Sequence, residues 1–296
     1  MAEETHVRLP LDEHPLLDVT ADFAHLTLVP IAPGERPYAE VRSKWKNRVR
    51  VRGENGTTVV RIGGEDWGLG MWSGKDRVIL HVPKDVRARV TTAAGRLFVE
   101  RLDGCDLEIT NDAGTIEMDD VGGALRIVTE AGKIDGQNLR GRFDISSQAG
   151  AVRLDITGFE PGEHRVRAEV GAVKIELARG LSVRVDARAT MGAVKVDCPN
   201  VADADAVLLV ETEVGAIKVR SSDQAARTPR AVPHWDHASQ GPYRSSAHET
   251  SADAAAPKAT PASESDEELE RILAKVADGS LAPGSAAELL RALRRS

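Results

Sequence analysis

An internal repeat constrains this chain more than any other feature. It reads Ala94-Gly95-Arg-Leu97-Phe-Val99, Ala113-Gly114-Thr-Ile116-Glu-Met118 and Ala131-Gly132-Lys-Ile134-Asp. Four more copies follow: Ala149-Gly150-Ala-Val152-Arg-Leu154, Val170-Gly171-Ala-Val173-Lys-Ile175, Met191-Gly192-Ala-Val194-Lys-Val196 and Val214-Gly215-Ala-Ile217-Lys-Val219. The seven glycines step by 19, 18, 18, 21, 21 and 23 residues. After each glycine the apolar residues mostly alternate, the period of a strand with one buried face. A second alternating pair fills most repeats: Leu107/Ile109, Leu125/Ile127, Phe143/Ile145, Val166/Ala168 and Val183/Val185. Each repeat is therefore strand, turn, strand, turn. One such pair is not stable alone, whereas stacked copies align their apolar positions into continuous columns.

This predicts an all-β chain built as a β-solenoid, with stacked two-strand rungs of 18–23 residues. Seven rungs at about 4.8 Å each make a section about 30 Å long. An antiparallel sandwich or meander is the structural alternative. The 41% hydrophobic content supplies a core, and with 3% aromatics that core is Val, Ile, Leu and Ala. Three residues past each glycine stand Phe98, Glu117, Asp135, Arg153, Lys174, Lys195 and Lys218. Five past stand Glu100, Asp119, Gln137, Asp155, Glu176, Asp197 and Arg220. From Arg153 to Lys195 a basic column thus runs beside an acidic one, a charge-balanced face or a surface for a charged polymer.

Upstream, further strands are expected at Val7–Leu9, Leu26–Leu28, Val41–Val51, Val59–Ile62 and Val78–Val82, with a hairpin-like turn at Gly53-Glu-Asn55-Gly56. Arg42, Lys44, Lys46, Arg48, Arg50 and Arg52 occupy every even position from 42 to 52. One strand would show all six on one face, as a contact for an anionic surface or as an edge guarded by charge. The glycine-rich stretch 63–74, with Trp67 and Trp72, lacks the Lys-Ser/Thr ending of a phosphate loop.

Downstream, residues 222–264 are rich in Ala, Ser, Pro and Thr without apolar periodicity and read as a disordered linker. Ser265-Asp-Glu-Glu268 and Ser285-Ala-Ala-Glu288 are capping-box patterns. Leu269, Ile272, Leu273 and Val276, then Leu289, Leu290 and Leu293, give two helices with facing apolar stripes. Residues 265–296 are therefore expected to form a small α-hairpin that needs a partner, a second copy or the β-body to be stable. The expected domains are 5–221, 222–264 and 265–296.

The run Val78-Ile-Leu-His-Val82-Pro83-Lys-Asp-Val86, followed by the Ala-Gly repeats, resembles the bacterial putative-adhesin β-strand-repeat family over residues 20–221. The segment from Glu268 to Leu290 looks like the short SHOCT-like helical module found with some of its members. The resemblance implies a binding protein. It also points to envelope-stress responses to membrane-active peptides, and it brings no catalytic residues.

The charge, 39 − 46 = −7, argues against a nucleic-acid binder. The acidic start lacks the basic and apolar stretches of an export signal, no apolar run reaches the ~18 residues of a membrane span, and Cys105 and Cys198 make no disulfide framework. These features predict a cytoplasmic protein, free or peripheral to the inner membrane. Asp119-Asp120 sits at a turn, His164 stands alone in its repeat, and His234 with His237 has no further spaced ligands. The expectation is a non-enzymatic scaffold or binding protein without metal or cofactor. Its partner is another protein, a second copy of itself or an anionic membrane. A surface adhesin and a polysaccharide-processing enzyme are the remaining alternatives. The polar stretch after Arg220 leaves that end of the repeats without an obvious cap, a route to end-to-end association.

Overall fold

The computed structural model describes residues 4–13, 15–42, 49–63 and 77–227. All lie in the first of two units, Met1–Val232 and Pro233–Ser296. The N-terminal part forms β1 (Glu4–Arg8), β2 (Leu16–Pro30), β3 (Tyr38–Arg42), β4 (Val49–Glu54), β5 (Thr57–Ile62) and β6 (Arg77–Val82). The repeats form β7 (Arg87–Glu100), β8 (Asp103–Asp119), β9 (Gly122–Phe159), β10 (Gly162–Val170) and β11 (Val173–Arg179). They continue as β12 (Arg184–Met191), β13 (Val194–Asp197), β14 (Ala206–Val214) and β15 (Ile217–Ala225). The described residues are all-β: fifteen strands share one hydrogen-bonded network, and no helix occurs among them.

The repeat period is the pairing offset. β8 lies parallel on β7 with Val90 beside Ile109, Gly95 beside Gly114 and Leu97 beside Ile116. β9 lies on β8 in the same phase, Ile109 beside Ile127 and Gly114 beside Gly132. Parallel in-register pairing puts each apolar residue on its counterpart one repeat away. Columns such as Val90–Ile109–Ile127 and Leu97–Ile116–Ile134 are fully or nearly fully buried. Each such side chain contributes about 1.5–3 kcal/mol relative to exposure.

The inward set shifts phase inside each repeat. In β7 it is Ala88, Val90 and Thr92, then Leu97 and Val99. The glycine corner between the two arms makes that shift. Gly132 has φ of 147°, and a Cβ there would lie 1.9 Å from the Gly114 carbonyl oxygen. Neither the dihedral nor the space admits another residue. Just before these corners runs a buried polar ladder. The Thr92 hydroxyl donates to Asn111 Oδ1 at 2.7 Å, and Asn111 Nδ2 donates to the Thr129 hydroxyl at 3.1 Å.

Stacking departs from chain order at both ends. β14 pairs with β10 on one side and β12 on the other, and β15 sits likewise between β11 and β13. The last repeat is thus inserted before the penultimate one, which becomes the outermost level. Charge favours this order. Arg220 of β15 lies between Glu176 of β11 and Asp197 of β13, and it bonds Glu176 at 2.5 Å. Chain order would place Glu176 against Asp197, and like charges directly opposite are unfavourable.

At the other end β2 pairs in parallel with β7 along both arms, and β5 and β6 lie beyond it. These are two further levels that the Ala-Gly pattern does not mark. Antiparallel strands finish this end: β4 on β5, and β3 then β1 on β6. The turn between β4 and β5 is Asn55-Gly56, both with positive φ (49° and 78°), the type I′ geometry that suits a two-residue hairpin.

Candidate functional site

Of the expected basic strand, the described residues hold three positions, in two elements. Arg42 ends β3, beside Glu40, whereas Arg50 and Arg52 belong to β4. Lys44, Lys46 and Arg48 lie outside the described residues, as do Trp67, Trp72 and the apolar positions Leu269, Ile272, Leu273, Val276, Leu289, Leu290 and Leu293. What the structure adds is Arg61 of β5, directly opposite Arg50. Arg50, Arg52 and Arg61 are all exposed, and none makes an ion pair among the described residues.

A second charged surface covers β9, β11, β15 and β13. Register places Arg153, Lys174, Lys218 and Lys195 in one column. Asp155, Glu176, Arg220 and Asp197 form the next. Glu176 is the hub of this face, with Lys174 Nζ at 2.9 Å and Arg220 beside it. The Lys174 hydrogen bond is the largest effect on its carboxyl; burial opposes it, and the Arg220 hydrogen bond with the two positive charges keeps the carboxyl below the usual range. Asp155 is pushed the other way, by burial and then by the negative charge of Glu176. It accepts a hydrogen bond from the Gln224 amide at 2.9 Å. Arg153, Lys218 and Lys195 make no ion pair among the described residues.

The groups with chemical potential inside the stack are held by it. His164 occupies an inward position beside Leu208 and is fully buried. Its Nδ1 accepts the Phe143 amide at 3.3 Å, its Nε2 lies 2.8 Å from the Glu160 carbonyl, and Phe143 and Phe159 surround the ring. This arrangement requires the neutral tautomer protonated at Nε2. Burial, aided by nearby Arg142 and partly offset by the Glu160 bond, lowers its pKa. Cys105 is buried, points its thiol at the Gly122 carbonyl, and is pushed up to about 12 by desolvation, so no thiolate forms near neutral pH.

Asp120, at a positive-φ turn, is gripped by Arg140 at 2.7 Å and Arg227 at 2.8 Å. Arg140 also bonds Asp103. Burial opposes the Asp120 charge, but the bond and charge of Arg140, with Arg227 behind them, keep the carboxyl below its ordinary range. Asp103, Asp120 and Arg140 come from three successive repeats, so the cluster clamps levels together. In sequence, Asp119-Asp120 reads only as a turn. Arg140 and Arg227 carry no local signal, because what aligns them with Asp120 is the stacking offset.

Among the described residues, no strand covers the core columns at the outermost level. Val173 and Ile217 are 1% exposed, whereas Val194, next in that column, is 42% exposed, and Val196 is 40% exposed. The corner column Val170, Val214 and Met191 is also exposed and reaches this level. A cavity of about 270 Å³ lies at the turns that follow β11 and β13, lined by Leu177, Leu181, Val183 and Cys198 among others. One arm of the level is partly covered: the Asn200 side chain bonds both the amide and the carbonyl of Val185.

No family model and no curated protein matches the chain. Among solved structures it is similar to a putative cell adhesion protein from Clostridium sporogenes, at 12% identity and a TM-score of 0.36 over 74% of this chain and 99% of that one. It is similar to a putative adhesin from Bacteroides fragilis at 12% identity and 0.38 over 74% and 98%. A putative lipid binding protein from Parabacteroides distasonis follows at 10% and 0.28 over 76% and 96%.

Proposed function

We propose that this chain is a non-enzymatic binding scaffold. Its stacked repeats form a β-solenoid that presents laddered charge, and residues 265–296 form the helical hairpin that docks a partner or a second copy. One observation carries the reading: the side chains best suited to chemistry serve the stack. His164 uses both ring nitrogens on backbone groups, Cys105 is sealed, and the Asp120 carboxylate is neutralised by two arginines. A general acid, base or nucleophile needs an accessible group with a matched pKa. The test is turnover of acidic and neutral glycans by the full chain. Retention without cleavage is expected, and measurable cleavage would overturn the reading.

A second reading, a peripheral protein at the inner membrane face, is favoured by the facing of Arg50 and Arg61. Like charges directly opposite destabilise a sheet, so an anionic partner there relieves a real cost. Vesicles with and without anionic lipid test it. Salt-sensitive co-sedimentation of the full chain, lost in Arg50→Glu/Arg61→Glu, is the expected result, and equal binding to neutral vesicles would sink it.

A further inference from the structure

We infer that the open edge at Val194–Asp197 is a self-association surface, where a second copy of this chain adds its own β13 antiparallel about a two-fold axis through Val196. This goes beyond the reading above, which places self-association in residues 265–296.

Backbone direction is the first argument. The Ile217 amide donates to the Ala193 carbonyl, so odd residues of β13 turn their backbone groups toward β15. Val194 and Val196 turn theirs outward, where no strand of the described residues lies. An antiparallel partner centred on Val196 exchanges both hydrogen bonds between the two Val196 residues, the close-bonded pair of such a ladder.

Side chains fit the same register. It sets Lys195 opposite Asp197 of the other copy, twice, at the non-hydrogen-bonded sites where side chains approach closest. Both residues are exposed and neither has an ion-pair partner among the described residues. On the other face the two Val196 side chains meet, and each Val194 meets Cys198. The uncovered core columns of the two copies thereby close on each other.

Charge selects the occupant: an antiparallel second β13 meets Lys195 with Asp197 and Asp197 with Lys195, at both ends of the contact. The chain after β15 also leaves in the other direction. The Ala226 amide bonds Arg179, the Arg227 amide bonds Thr157, and the Arg227 side chain reaches Asp120, each on levels farther from β13.

The test is sedimentation equilibrium of the full chain with Lys195→Asp, Asp197→Lys and the double exchange. The wild type is expected to dimerise. Each single reversal sets like charges opposite and weakens the dimer ~10-fold or more, and the double exchange restores it. Matching far-ultraviolet circular dichroism of all four proteins keeps misfolding out of the comparison. A monomeric wild type, a dimer insensitive to the single reversals, or a double exchange that fails to restore association overturns the proposal. Association that survives every reversal but is lost when Leu269 and Leu273 become Asp assigns it to residues 265–296 instead.

Discussion

At the scale of the residue, position in a column decides what a side chain does. Gly132→Ala forces a Cβ onto the Gly114 carbonyl at a dihedral that L-residues avoid. The expected loss is about 3 kcal/mol or more in urea unfolding, well beyond an ordinary surface Gly→Ala change. Asn111→Ala leaves the Thr92 and Thr129 hydroxyls without their shared partner in a buried site, an expected cost of about 1–3 kcal/mol by the same measurement. His164 makes stability depend on pH. Its folded pKa lies below the ordinary 6.5, so the unfolded chain binds the extra proton first. Stability should hold above pH 6.5, fall as pH drops from there toward the folded pKa, and fall less steeply in His164→Phe. Chemical denaturation from pH 7.5 to 5 checks this, and a slope unchanged by the substitution would remove His164 as the cause. The glycines and alternating apolar residues were legible in sequence because both report backbone geometry directly. His164 was visible only as a solitary histidine, since its partners Phe143 and Glu160 sit beside it through stacking and a turn.

At the scale of the element, a strand is stable here only against the levels above and below it. Arg140 shows how they are tied: removing its guanidinium takes the shared cation from Asp103 and Asp120 in a half-buried turn region and leaves Asp120 with Arg227 alone. Arg140→Met is expected to cost about 2–4 kcal/mol, less than a fully buried pair because both carboxylates keep some solvent. Asp120→Asn in the same background should recover part of that loss in urea unfolding. The exposed cross-level pairs, such as Arg89 with Glu108 at 3.0 Å, are worth only about 0.2–1 kcal/mol each. Strand existence was legible from periodicity, but the order of the last two repeats was not. Val194-Lys-Val-Asp197 and Ile217-Lys-Val-Arg220 satisfy the same template, and the columns accept either next to Val173-Lys-Ile-Glu176. Only the sign of the fifth residue past the glycine distinguishes them, through the contact of Arg220 with Glu176. The N-terminal levels escaped the pattern for a different reason. In β2 an alanine, Ala24, pairs with Gly95, and β5 and β6 supply the two arms of their level from separate strands.

At the scale of the whole molecule, the stack of the described residues has antiparallel strands at one end and, at the other, core columns that no further described strand covers. The self-association edge depends on which repeat is outermost. The order can be read by disulfide trapping in a Cys198→Ser background, at concentrations below self-association. Neighbouring levels bring paired Cα atoms within the span a disulfide accepts, whereas two levels stand about 9–10 Å apart. Lys174→Cys with Lys218→Cys is predicted to oxidise to an intrachain disulfide under mild conditions, and Lys174→Cys with Lys195→Cys is predicted to remain reduced. The reverse pattern, with 174 and 195 joined and 174 and 218 free, would mean that the repeats stack in chain order and would contradict the open edge at Val194–Asp197.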